Sequence, residues 1–202
     1  SGVFAYNDTR NNKAMQIDTN HNLPSPVVKS IALDFKNELW IGTLKGLRVI
    51  RNVDQFLTNS QLVPTNIVIE DEGAYQELFF EQDVINITVD GSNNKWVSIA
   101  DAGVFLISDK YETLYNFTTQ NSPLPSNDVT HVTIDGATGE VFFVTRKGMV
   151  SFKNFANTPL DDLDNIKVYP NPVRPGFTGD VKISGLMADA TVKITDIAGN
   201  LV

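Results

Sequence analysis

The sequence predicts an all-β chain: the C-terminal blades of a β-propeller followed by the first strands of an Ig-like β-sandwich, together a fragment of a larger protein. Three observations predict it. Short alternating apolar segments recur with Gly-containing turns between them, and the recurrence has the length of a propeller blade. A proline cluster, KVYPNPVRPG at 167–176, then ends the repeating part. Proline lacks the N–H that a sheet ladder needs, so such a cluster cannot lie inside a central strand.

Three segments align: VVKSIALDFKNELWIGTLKGLRVI (27–50), VINITVDGSNNKWVSIADAGVFLI (84–107) and VTHVTIDGATGEVFFVTRKGMVSF (129–152). Each has an alternating strand ending at Asp34, Asp90 or Asp135, then a polar turn. A second strand led by Trp40, Trp96 or Phe142 follows, and a turn closed by Gly46, Gly103 or Gly148 precedes a third strand. Alternation with period two gives each strand one buried face, and successive hairpins give antiparallel sheets. The Asp positions stand 56 and 45 residues apart, and repeats of about 40 to 50 residues with up to four strands mark a propeller. The leading aromatics are expected to wedge neighbouring sheets together.

The remaining elements follow in order. GVFAY (2–6) matches the third strand of a blade whose first two strands are absent, which implies a piece of a longer protein. AMQID (14–18), NIVIE (66–70) and TLYNF (113–117) are expected as outermost strands, and no outer strand is expected for the last blade. HNLPSPVV (21–28) and NSPLPSNDV (121–129) read as proline-pinned crossings between blades, with extra length around TNSQLVPTN and EDEGAYQELFFEQ. The domains expected are a partial propeller at 1–152, a linker at 153–165 and the start of the sandwich at 166–202. Strands in that last part are IKVYPNPV, DVKISGL and ATVKITDIAGNLV, with turns at Pro-Gly, Met187-Ala188-Asp189 and Ala198-Gly199-Asn200.

Of 202 residues, 42% are hydrophobic and 20% charged, ordinary for a chain with a core. The net charge of −8 argues against nucleic acid, which needs clustered Lys and Arg. No cysteine is present, so disulfides, Cys-ligated zinc and thiol catalysis are excluded. No run of about 18 apolar residues exists to cross a bilayer as a helix.

Candidate chemistry is sparse. His21 falls in a crossing and His131 in an inner strand, where it reads as a packed or channel-lining residue. Asp90, Ser92, Asn94 and Asp101 have part of a calcium-loop spacing, but Lys95 stands where such a loop needs Gly, so a polar hairpin turn is the better reading. The carboxylate pairs Asp71/Glu72 and Asp161/Asp162 are adjacent in sequence only, and no nucleophile elbow, zinc helix or phosphate loop occurs. Asn86-Ile87-Thr88 and Asn116-Phe117-Thr118 match the glycosylation triplet inside predicted strands and read as chance. No catalytic residue, metal site or cofactor is therefore expected. Lys45 and the pair Arg146/Lys147 occupy matching turns on the face of the LPSP and LPSN crossings, a candidate rim for a polyanion.

The blade pattern, with N-x-LPS, Asp followed by Trp and a closing Gly, resembles the two-component-regulator propeller repeat of Bacteroidetes over residues 2–152. VYPNPVRPGFTGDVKISGL with ATVKITDIAGNLV resembles the C-terminal sorting domain of the type IX secretion system. Together, with NSPLPSN, TGEVFF and KGMVSF in the last blade, they are similar to the PorZ-like family of that system's attachment complex. The resemblance implies a non-catalytic exported protein at the outer-membrane surface or in the periplasm. Its implied partners are anionic lipopolysaccharide or another glycan and secretion-system proteins. Two other readings stand beside it: the oligosaccharide-sensing periplasmic propeller of a hybrid two-component regulator, and a propeller glycosidase or lyase.

Overall fold

The computed structural model describes residues 2–7, 13–58, 61–71, 73–153, 166–187, 190–196 and 198–201. The strands in chain order are β1 (Val3–Asn7), β2 (Lys13–Ile17), β3 (Val28–Leu33), β4 (Leu39–Thr43), β5 (Gly46–Ile50), β6 (Val68–Asp71), β7 (Ala74–Glu77) and β8 (Val84–Val89). They continue with β9 (Lys95–Ile99), β10 (Gly103–Ile107), β11 (Thr113–Phe117), β12 (Val129–Ile134), β13 (Glu140–Thr145), β14 (Gly148–Lys153), β15 (Lys167–Tyr169) and β16 (Lys182–Ser184). Every ladder is antiparallel. The chain is all-β, built as a series of small sheets of the propeller type.

The three repeats are three blades: β3-β4-β5, β8-β9-β10-β11 and β12-β13-β14. Each inner strand meets its neighbour with a register shift at one equivalent place, Val28/Ser30, Val84/Asn86 and Val129/His131. A bulge there turns the next residue toward the neighbouring blade. Ser30 Oγ accepts from the backbone N–H of Ile87 at 3.0 Å, and Asn86 Oδ1 accepts from that of Val132 at 2.9 Å. Thr88 Oγ1 also donates to the Val132 carbonyl at 2.8 Å. One blade's side chains thus satisfy backbone groups on the next, which joins the inner strands without a shared ladder.

Apolar wedges complete the junctions. Trp40 and Trp96 are both 0% exposed. Trp40 packs with Val84, Ile87, Val97 and Ile99 of the second blade; Trp96 packs with Val132, Val141 and Phe143 of the third, its ring centroid 5.6 Å from that of Phe143. Gly42 lets the first two blades approach, since a Cβ there would stand 2.6 Å from Val84 Cγ1. The third wedge differs from the expectation. Phe142 pairs with Thr133 as Trp40 pairs with Ala32 and Trp96 with Thr88, yet Phe142 is only half-buried while Phe143 is buried. Each leading aromatic faces the following blade, and the third blade has none on that side among the described residues.

The outer strands are mixed in outcome. β2 pairs with β1 and β11 with β10, as 14–18 and 113–117 suggest. Residues 66–70 do not form the first blade's outer strand: only a bridge from Thr65 to Val49 is made, and β6 then pairs with β7 as a separate hairpin. Arg48 causes part of this, because its guanidinium donates to Glu77 of β7 and to the Asn22 carbonyl, anchoring the hairpin at its far end.

The chain forms two compact units, 1–156 and 157–202. In the second, β15 pairs with β16, and the third strand expected there is reduced to a bridge from Thr195 to Leu201. Asp196 Oδ1 accepts from Ala198 and Asn200 N–H across the closing turn, the same cap that Asp90 makes for Ser92 and Asn94. The linker expected at 153–165 lies outside the described residues except for Lys153. So do Ala188 and Asp189, and the pairs containing Glu72, Asp161 and Asp162.

Candidate ligand-binding rim

The rim residues sit on repeated turns. Thr43 Oγ1 donates to the Gly46 carbonyl at 2.8 Å and accepts from Lys45 N–H at 3.2 Å. Thr145 does the same with Gly148 and Lys147, at 2.8 and 3.1 Å. A threonine at the strand end closes each turn from inside, so Lys45, Arg146 and Lys147 are held outward and are exposed. Lys45 and Lys147 make no ion pair among the described residues. Arg146 Nε lies 3.3 Å from Asp128 Oδ2, an exposed pair that weakly offsets its charge. Between them, the second blade's turn carries Asp101 at φ +58°. The rim therefore reads basic, acidic, basic across the three blades, a feature visible in the sequence but missed by taking the basic turns alone.

The other candidates resolve into structural roles. Asp90 Oδ1 caps its turn, and its Oδ2 accepts from Asn94 Nδ2 at 3.1 Å and Trp96 Nε1 at 3.2 Å. Those oxygens are engaged, which explains the partial calcium spacing as turn chemistry. No cluster of three or more His, Asp or Glu side chains suited to a metal occurs among the described residues. His21 Nδ1 lies 3.0 Å from Asp18 Oδ1 in a short 3-10 turn, and that contact leads the interactions holding the Asp18 carboxyl below its usual range. His131 is exposed on the open side of β12 and is not packed. Asn86 is occupied by Val132, whereas Asn116 is exposed on β11.

Two further features were not anticipated. Lys95 and Asp34 form an ion pair of 2.6 Å between the first two blades, both side chains 0% exposed. Lys95 Nζ also donates to the Asn93 carbonyl at 2.8 Å and stands 5.0 Å from the Trp40 ring centroid. Burial pushes the Asp34 carboxyl up, but Lys95 and the Glu38 N–H outweigh it and hold the group below its usual value. Beside it, Tyr111 donates to Glu38 at 2.7 and 2.8 Å and accepts from Arg51 at 3.0 Å. Burial first and Glu38 second push the phenol up to about 12. The second feature is a groove of about 920 Å³ between the β6–β7 hairpin and the outer part of the second blade. Its lining includes Glu70, Gln76, Phe80, Gln82, Lys110 and Glu112, with Phe80 exposed.

No family model and no curated protein matches the sequence. Among solved structures, PorZ of Porphyromonas gingivalis, described as an essential bacterial surface component of the type IX secretion system, matches with a TM-score of 0.69 and 28% identity. The match covers 99% of this chain and 29% of that chain, so the chain spans less than a third of PorZ. The extracellular domain of a hybrid two-component system of B. thetaiotaomicron matches with a TM-score of 0.53 and 23% identity. It covers 73% of this chain and 18% of that one, and bears on the fold alone. No helix among the described residues is long and apolar enough to cross a membrane. By fold, a propeller-type series of small antiparallel sheets, the chain is similar to PorZ.

Proposed function

We propose that the chain belongs to a non-catalytic, exported surface protein of a type IX secretion system, which handles anionic lipopolysaccharide alongside secretion-system partners. The observation that carries this reading is the 99% coverage of the PorZ match, because it takes in the tail as well as the blades. The tail strands at 166–202 are expected as the start of an Ig-like sorting-type domain. On the repeated turns of the first and third blades, Lys45, Arg146 and Lys147 are exposed cations placed to meet a polyanion. The test is binding of purified protein to anionic lipopolysaccharide at low and moderate salt. A Lys45/Arg146/Lys147→Ala triple variant should bind more weakly and with a shallower salt dependence. Unchanged binding by the variant would remove the rim from the account, and absence of binding by the parent would remove the ligand.

One observation favours a second reading, an oligosaccharide-sensing propeller. The groove beside β6–β7 combines an exposed aromatic, Phe80, with Gln76, Gln82 and Glu112, a set suited to stacking on and hydrogen-bonding to a neutral sugar. Calorimetry with neutral oligosaccharides separates the two readings, since the rim would not respond to an uncharged ligand.

A further inference from the structure

We propose that the Lys45 turn and the groove beside β6–β7 form one continuous site for an anionic polysaccharide, whose charge is met at the turn while its uncharged sugar units lie in the groove. This rests on the lipopolysaccharide reading above and names the part of that molecule the chain holds. The argument is adjacency. Phe79, Phe80 and Gln82 form one wall of the groove. The same loop abuts the rim turn: a Cβ at Gly46, the residue after Lys45, would stand 3.2 Å from the Phe79 carbonyl oxygen and 3.7 Å from the Glu81 nitrogen. On the other side, the second blade's turn carries Asp101 between Lys45 and the pair Arg146/Lys147. The surface continuous with Lys45 is therefore the groove, not the rest of the rim.

The loop buries one aromatic ring and presents the next. Phe79 is 7% exposed and meets Phe105 edge-on, with ring centroids 5.1 Å apart, whereas Phe80 is 62% exposed. Phe79 and Glu81 both take left-handed backbone, at φ +57° and +54°, a conformation that costs free energy in non-glycine residues and concentrates at ligand-binding segments. Phe80 N–H donates to the Glu77 carbonyl and Gln82 N–H to that of Phe79, so the exposed ring is held in place. A ring fixed in this way stacks on the apolar face of a sugar, and Gln76, Gln82, Glu70 and Glu112 hydrogen-bond its hydroxyls. Glu70 and Glu112, offset only by Lys110 in the lining, repel a charged substituent from the groove itself. That substituent is left to Lys45. The volume of about 920 Å³ is near the top of the roughly 300–1,000 Å³ range of ligand sites, which suits several linked sugars rather than one.

The test is calorimetric titration of the chain with anionic lipopolysaccharide and with the lipid-free polysaccharide released from it by mild acid. The polysaccharide should bind as the whole molecule does. Phe80→Ala should weaken binding roughly 5- to 30-fold at any salt concentration, and Lys45→Ala roughly 2- to 5-fold at low salt only. Arg146→Ala with Lys147→Ala should weaken it less than Lys45→Ala does. Phe80 and Lys45 are exposed, so unchanged melting serves as the folding control. If the parent chain binds neither preparation, the lipopolysaccharide reading fails and this site with it. If the parent binds but Phe80→Ala binds equally well, the rim reading stands and the continuous site is overturned. Loss of binding with Phe80→Ala and none with Lys45→Ala would leave a groove for neutral sugar alone, and binding that needs the lipid portion would also overturn the proposal.

Discussion

Replacing Lys95 by Met gives the sharpest stability prediction. The substitution keeps the aliphatic stem but leaves the Asp34 carboxyl at 0% exposure without its ammonium, which stands 2.6 Å away in the native chain. Asp34 keeps the N–H groups of Lys36 and Glu38, each 2.9 Å from Oδ1, yet they do not replace a full charge. Breaking one side of a buried pair costs about 3–5 kcal/mol, a large part of the roughly 5–15 kcal/mol that holds a domain. At about 2–4 °C per kcal/mol for a chain of this size, the melting temperature should fall by about 6–20 °C. The double variant Lys95→Met/Asp34→Asn removes both charges and keeps the turn cap, so it should recover most of the loss. The pH dependence should weaken in the variant. In the native chain the depressed Asp34 group contributes stability above its unfolded value of about 4, lost as pH falls through its lower folded value. In Lys95→Met only the Lys36 and Glu38 N–H groups oppose the upward push of burial, so that variant should lose less stability on acidification than the native chain. Urea unfolding of the four proteins of the cycle, repeated across pH, reads all of this. A single-variant loss below about 1 kcal/mol, or a double variant no better than the single, would refute the reasoning.

Other expectations are independent of that pair. Tyr111, pushed up to about 12, contributes stability that is complete below about pH 10 and is lost as pH rises through its folded value; ultraviolet titration should show one late tyrosinate, absent in Tyr111→Phe. Asn86→Ala leaves the Val132 N–H without its acceptor and should cost about 1–3 kcal/mol in chemical denaturation. Trp96→Ala opens the second junction and should cost about 3–5 kcal/mol, read by the same unfolding curves. Gly42→Ala, whose Cβ would overlap Val84, should cost about 1–3 kcal/mol through overpacking.

The blades were legible because their signals are local. An Asp six residues before a Trp, with a closing Gly, fixes one hairpin in Asp34–Trp40 and again in Asp90–Trp96 without reference to anything distant. The third blade blurred because Asp135 N–H reaches to Glu140 O, where Asp34 and Asp90 reach only to Glu38 and Asn94. The turn DGATGE is one residue longer, and the aromatic pair behind it divides between two faces. What no local pattern carried was Lys95. It follows a polar turn and looks solvated, yet its partner is on another blade. Residues 66–70 read as an outer strand by alternation, but the Arg48 and Glu77 side chains that decide the hairpin's position lie on β5 and β7. The basic rim was visible as Lys45, Arg146 and Lys147, whereas Asp128 beside Arg146 came from the arrangement of the crossing.

The account rests on sheets held face to face by two buried indoles, and tryptophan fluorescence tests this most directly because Trp40 and Trp96 are the only tryptophans in the sequence. The native chain should emit at short wavelength, resist quenching by acrylamide, and lose both properties in one cooperative transition on unfolding. Long-wavelength emission that acrylamide quenches freely in the native chain would contradict the blade arrangement and the surface role built on it.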